Sequence, residues 1–223
     1  MIALITGANR GIGLELARLM AARGDVVIGT ARQPSEATEL AALGVTVVRL
    51  DVLEPSSIEA LGVAMAGRPI DVLVNNAGVS SESKSLASCT GEELARVFAT
   101  NATGPALVAK AVMASLEASS KRLIVNISSQ LGSIRNNTGG SSYGYRASKA
   151  ALNMLTACMA NELRPQGFTC VTMHPGWVRT RMGGAQAPLL GPDAASRILA
   201  RIDGFSPADS GTFVDLDGRS LPW

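Results

Sequence analysis

The stretch "SSYGYRASKAA", Ser141 to Ala151, carries both tyrosines of a 223-residue chain, Tyr143 and Tyr145, with Lys149 four residues after the second. Residues four apart share a helix face, so Tyr145 and Lys149 stand side by side if the segment is helical. Tyr143 has only Ala147 at that offset. A phenol titrates near 10, and bringing it to neutrality takes about 4 kcal/mol of differential interaction. A neighbouring ammonium favours the phenolate and acts in that direction. Tyr145 is therefore the candidate acid/base, and Tyr143 a wall or substrate contact. Y-x-x-x-K also arises by chance on exposed helices, so the pair gains its weight from its company.

That company is polar and sits at the ends of apolar runs. "IVNISSQLGS" closes with Ser128 and Ser129, hydroxyls suited to hydrogen-bond a carbonyl oxygen. "LVNNAGVS" presents Asn75, Asn76, Ala77 and Gly78, where small residues leave room for a flat ligand. Asn101, in "FATNATG", falls within a helical run; asparagine is a poor interior helix residue, so a buried polar role and an exposed position are both open. "ITGANRGIGLELARLM" sets Gly7, Gly11 and Gly13 directly after the first apolar run. Such glycines let the backbone approach a pyrophosphate, and the next helix offers free N–H groups and its positive dipole end. A strand before and a helix after make this a dinucleotide-site pattern.

An NAD site usually has an acid about 20 residues after the glycines, and an arginine there accommodates a 2′-phosphate. Here Thr30 holds the acid's place and Arg32 follows; Asp25 lies before the strand, at the wrong end. Arg10, in the glycine loop, adds a second cation. A guanidinium pair matches a phosphate monoester in charge and fork geometry. NADP(H) is therefore favoured over NAD(H), which stays open.

The elements that must position these residues alternate. Seven β-rich runs are expected, at "MIALIT", "DVVIGTA", "VTVVRLD", "IDVLVNNAG", "KRLIVNISS", "FTCVTMHPG" and "GTFVDLD". Helical runs are expected at Gly13–Ala22, Ser56–Ala66, Glu92–Ser119 as one long helix, Tyr145–Leu163 and Asp193–Ile202. The strands are continuously apolar, as when helices cover both faces of a parallel sheet. The expectation is an α/β, doubly wound, Rossmann-like fold in one domain spanning 1–223, with a seven-stranded, mostly parallel sheet. Loops Gly132–Gly144 and Arg181–Gly191 fall where such folds carry function. Gly183 and Gly184 are candidate hinges for the second.

Composition narrows the partners. Hydrophobic residues make up 47% and aromatics 4%, so the core must be aliphatic. The net charge of +2 comes from interspersed signs, with no basic block for nucleic acid and no polybasic face for a membrane surface. No apolar run reaches the roughly 18 residues a membrane helix needs. Cys89, Cys158 and Cys170 form no C-x-x-C and no metal pattern, so reduced thiols in a cytoplasmic protein are expected. No charged n-region or cleavage site precedes the opening strand, so no secretory signal is expected.

In their order and spacing, these motifs resemble the short-chain dehydrogenase/reductase family in its single-domain branch. The resemblance runs through Thr6–Gly13, Asp51-Val52, Asn75–Gly78, Asn101, the strand-end serine, Tyr145–Lys149 and "HPGWVRT" (His174–Thr180). It implies a catalytic tetrad of Asn101, Ser129, Tyr145 and Lys149, with Ser128 as the fallback serine. It implies cofactor contacts from Gly7, Asn9, Arg10, Gly11, Ile12, Gly13 and Arg32, and adenine contacts at Asp51 and Val52. Ribose contacts would come from Asn75, Ala77, Gly78 and Lys149, and nicotinamide contacts from Pro175, Gly176, Val178 and Thr180. The implied chemistry is hydride transfer between nicotinamide and a small carbonyl or alcohol, with Ser129 polarising the oxygen, Tyr145 donating the proton, Lys149 lowering the Tyr145 pKa and Asn101 holding a water. His174, the single histidine, is read as structural. The tail, "HPGWVRTRMGG" and "YGYRASKAALN" are similar to small carbonyl reductases of the C-factor or sniffer type. That branch keeps a second reading open, a signalling or cofactor-sensing protein, beside a third, an NAD-dependent alcohol dehydrogenase. Monomer and homo-oligomer both stay open.

Overall fold

A computed structural model describes residues 1–223. Seven strands form one sheet: β1 (Ile2–Ile5), β2 (Val26–Ala31), β3 (Thr46–Arg49), β4 (Val72–Asn75), β5 (Leu123–Ile127), β6 (Thr169–Met173) and β7 (Phe213–Val214). Their spatial order is β3-β2-β1-β4-β5-β6-β7, and every neighbouring pair is parallel. The helices are α1 (Gly11–Ala22), α2 (Thr38–Ala41), α3 (Pro55–Met65), α4 (Gly91–Phe98), α5 (Gly104–Ala111), α6 (Met113–Glu117), α7 (Tyr143–Leu163) and α8 (Gly191–Gly204). No helix is long and apolar enough to cross a membrane.

Alternation along each strand accounts for the unbroken apolar runs. In β1, Ala3 and Ile5 face a core shared with Leu16 and Met20 of α1 and Ile198 and Ile202 of α8. Leu4, between them, faces the opposite core with Leu61 and Met65 of α3, Val108 of α5 and Leu163 of α7. Successive side chains point to opposite faces, so a strand covered on both sides must be apolar throughout. The strand order reverses between β1 and β4, which opens a crevice at their carboxyl ends, where doubly wound sheets bind ligands.

Three elements differ from expectation. The long helix over Glu92–Ser119 is divided: α4 ends at Phe98, a π-helical turn spans Ala99–Thr103, and α5 and α6 follow, parted at Val112. Pro105 has no N–H to give the carbonyl four residues back, and that residue is Asn101. The short α2 lies between β2 and β3, where no helix was expected. The last strand is two residues, because Asp215 Oδ1 accepts from the N–H groups of Asp217 and Arg219 and folds "DLDGR" into a turn.

Candidate active site

The loop from Thr6 to Gly13 leaves β1 and enters α1 at the crevice. It is laced to its neighbours by side chains. Thr6 Oγ1 accepts from the N–H groups of Asn76 and Ala77, both at 3.0 Å. Asn76 Nδ2 donates to the carbonyls of Thr6 (2.9 Å) and Gly7 (3.1 Å). A Cβ on Gly13 would sit 2.5 Å from that Nδ2 and 2.7 Å from the Gly7 carbonyl, so glycine is required there by close approach. The α1 N-terminus carries no side-chain cap, which leaves its first N–H groups directed at the crevice.

Thr30, where an NAD site would hold its acid, is buried and turned inward. Its hydroxyl accepts from Gly7 N–H at 3.2 Å, and its carbonyl from Ala8 N–H. Arg10 and Arg32 border the crevice as expected, and Arg181, just past β6, joins them. Burial holds the Arg10 guanidinium below its usual range, and the like charges of Arg181 and Arg32 push it further down. Three cations thus gather on one side of the crevice. Glu36 and Asp51 also border the crevice, and one Asp51 oxygen is engaged by Leu53 N–H.

Tyr145 and Lys149 lie one turn apart in α7 and line the same cleft, of about 620 Å³. The Lys149 Nζ is 5.8 Å from the Tyr145 ring centre, and it donates to the Ile127 carbonyl at 2.8 Å. Burial lowers Lys149 to about 8. Burial raises the Tyr145 phenol, and the Ser129 hydroxyl pulls it partly back. This corrects the expectation that Lys149 depresses the phenol: the ammonium is turned toward Ile127, and burial pushes both groups toward their neutral forms.

The two candidate serines divide by their partners, although it is Ser128 that borders the cleft. Ser128 Oγ is committed to Asn153 Oδ1 at 2.7 Å, whereas Ser129 faces the phenol and otherwise only accepts from Leu131 N–H. Asn101 is fully buried. Its side chain clamps Val79 from both sides, accepting from its N–H and donating to its carbonyl at 2.8 Å each. Its second amide proton goes to Ser148 Oγ at 3.0 Å, so both amide protons are spent within the protein.

Among the expected contacts, Gly7, Asn9, Gly11, Ile12, Val52, Ala77, Gly78, Pro175 and Thr180 line the cleft. Gly13, Gly176 and Val178 do not line it, nor does the buried Asn75, which spends its amide protons on Asn126 and Pro105. Asn76 takes its place at the surface of the cleft. Tyr143 borders a separate hollow of about 230 Å³ with Leu131 and Ile134 on the other face of α7, so it is no wall of this cleft. His174 is partly buried, lowered to about 4 by burial against a weaker pull from Asp215. The segment after β6 is stitched rather than free: Trp177 Nε1 donates to the Gly183 carbonyl, Gly183 N–H to Thr180 Oγ1, and Arg179 Nε to the Ala187 carbonyl. Sequence reasoning passed over Arg181 and Asn76, although both stand inside motifs it singled out.

Residues 1–188 match the family model described as short chain dehydrogenase; the chain belongs to that family and is an oxidoreductase of the short-chain class. The carbonyl reductase Sniffer of D. melanogaster superimposes with a TM-score of 0.94 at 35% identity, covering 99% of this chain and 98% of that one. An NADPH-bound carbonyl reductase from chicken fatty liver gives 0.91 at 33% identity, with 99% and 98% covered. Among curated proteins, the C-signal of Myxococcus xanthus is 45% identical over 155 residues, 70% of this chain and 93% of that protein.

Proposed function

We propose that this chain is an NADP(H)-dependent reductase of small carbonyl compounds, built as one cofactor-binding domain over residues 1–223. The observation that carries the reading is a single cleft that joins Tyr145 and Lys149 to an uncapped helix N-terminus and three arginines. In this reading Gly7, Gly11 and Ile12 cradle the pyrophosphate with the first amides of α1. Arg10, Arg32 and Arg181 take the 2′-phosphate, and Asp51 and Val52 flank the adenine. Ala77, Gly78 and Lys149 hold the ribose toward the reacting end, with Pro175 and Thr180 beside the nicotinamide. When bound, that ring supplies the hydride.

The protein's own groups handle the oxygen and its proton. Ser129 O–H donates to the carbonyl oxygen and stabilises the charge that develops there. Tyr145 donates its phenolic proton to the same oxygen as it becomes an alkoxide. Burial keeps that phenol protonated at neutral pH, the state a donor needs. Lys149 is an ammonium below about 8; with one proton on the Ile127 carbonyl, two remain for the ribose. Run in reverse, the same groups oxidise an alcohol.

The test is NADPH consumption by purified protein against a panel of aldehydes, ketones and quinones. Tyr145→Phe is expected to lose roughly 10²- to 10⁴-fold in kcat while NADPH binding, followed by fluorescence, is kept. Equal turnover by wild type and Tyr145→Phe overturns the reading. The match to C-signal favours one second reading, a signalling protein on the same fold; two equally inactive proteins across the panel would support it.

A further inference from the structure

The backbone of Tyr145 is held from both sides by residues that nothing above assigns a role. Helix α7 begins at Tyr143, and the residue in its N-cap place, Ser142, is left-handed (φ 49°, ψ 45°) and makes no capping bond. An N-cap side chain ordinarily accepts from the second or third helical N–H, and the third here is that of Tyr145. That N–H donates instead to Ser81 Oγ at 2.8 Å, 64 residues earlier in the chain. Ser81 is only 2% exposed. A Cβ on Gly144 would lie 2.9 Å from its Oγ, so the loop seats directly on the helix start.

The loop bearing Ser81 is pinned at both ends. Asn101 clamps Val79 on one side. On the other, the Glu93 carboxylate accepts from the N–H groups of Glu82 (2.6 Å) and Ser83 (3.1 Å). The Tyr145 carbonyl accepts from Ser148 Oγ at 2.8 Å, and Ser148 Oγ in turn accepts from Asn101 Nδ2. The bonds close into a ring: Asn101 to Val79, along the loop to Ser81, to Tyr145, to Ser148 and back to Asn101.

We infer that Ser81 is a positioning residue for Tyr145, capping α7 from outside the helix, and that Asn101 and Ser148 complete the clamp that aims the phenol at Ser129. The kinetic consequence rests on the carbonyl-reductase reading; the conformational one does not. Without Ser81 the start of α7 frays and the phenol leaves Ser129.

The test compares wild type, Ser81→Ala and Ser115→Ala. Ser115 is equally buried and donates to the Met65 carbonyl at 2.8 Å, remote from the cleft. In Ser81→Ala, amide hydrogen exchange at Tyr145 is expected to accelerate roughly two- to thirtyfold, the range a lost N-cap spans. Its kcat is expected to fall roughly 10- to 100-fold, as for a reacting group displaced by about 1 Å, with the KM for NADPH unchanged. Ser115→Ala is expected to lose stability and keep all three readouts. A Ser81→Ala protein whose Tyr145 exchange and kcat match Ser115→Ala overturns the inference. If wild type reduces no carbonyl, the functional reading falls, and Tyr145 exchange alone decides whether Ser81 is the cap.

Discussion

The three arginines at the cofactor cleft allow function and stability to be driven in opposite directions. Arg10 is depressed by burial and by its like-charged neighbours Arg181 and Arg32, so those two raise the cost of the Arg10 charge until an anion arrives. Removing Arg32 or Arg181 relieves that repulsion in the free protein and deletes a charged donor from the phosphate site. A hydrogen bond to a charged group is worth about 1.5–3 kcal/mol, and the low end applies to side chains this exposed, which is roughly tenfold in Kd. Arg32→Ala and Arg181→Ala are each expected to weaken NADPH binding about tenfold, leave NADH within about twofold, and leave Tm unchanged or raised. Calorimetric titration with both cofactors and thermal unfolding measure all three. Salt adds a check: the NADPH preference of wild type should shrink as ionic strength rises. An equal loss for NADPH and NADH, or an unchanged NADPH Kd in both variants, would refute the assignment of these residues to the 2′-phosphate.

Three further expectations follow from burial and packing. Lys149 titrates near 8 in the folded chain and near 10.4 unfolded, so between those values the unfolded state binds more protons and stability rises with pH, by about 3 kcal/mol; denaturant titrations should show that rise in wild type and lose it in Lys149→Met. His174 sits near 4 against about 6.5 unfolded, so lowering the pH from 6.5 to 4 should remove about 3 kcal/mol of stability, and His174→Asn should flatten that limb. Gly13→Ala would drive a Cβ into Asn76 Nδ2 and the Gly7 carbonyl; NADPH binding should be lost in calorimetry, with a drop in Tm that Gly204→Ala, in open space and without a left-handed backbone, does not share.

The fold was legible because its signals are local. A strand buried on both faces is apolar at every position, and the alternation of such runs with amphipathic ones leaves few architectures. Tyr145 and Lys149 were legible for the same reason, since one helical turn relates them. What escaped depends on contacts between distant segments. Nothing within "GVSSES" says that Ser81 reaches the start of a helix 64 residues on, and Asn75 and Asn76 look alike until the pleat sends one into the sheet and the other to the cleft. Asn101 was ambiguous because its partner, Val79, offers only backbone. The electrostatics were legible in type and misjudged in direction: adjacency promised an acidic phenol, while burial and the Ile127 carbonyl decide the outcome.

The ten residues after Thr180 arrive already tied down, with Trp177, Thr180 and Arg179 each holding a point along them and Val178 bridged to Leu189. A segment in that condition forfeits little conformational entropy when a guest binds against Arg181 or Met182 at its start, so more of each contact survives as affinity. Selection among guests then falls to the shape of a rim that is set beforehand, and departure requires no segment to unfold.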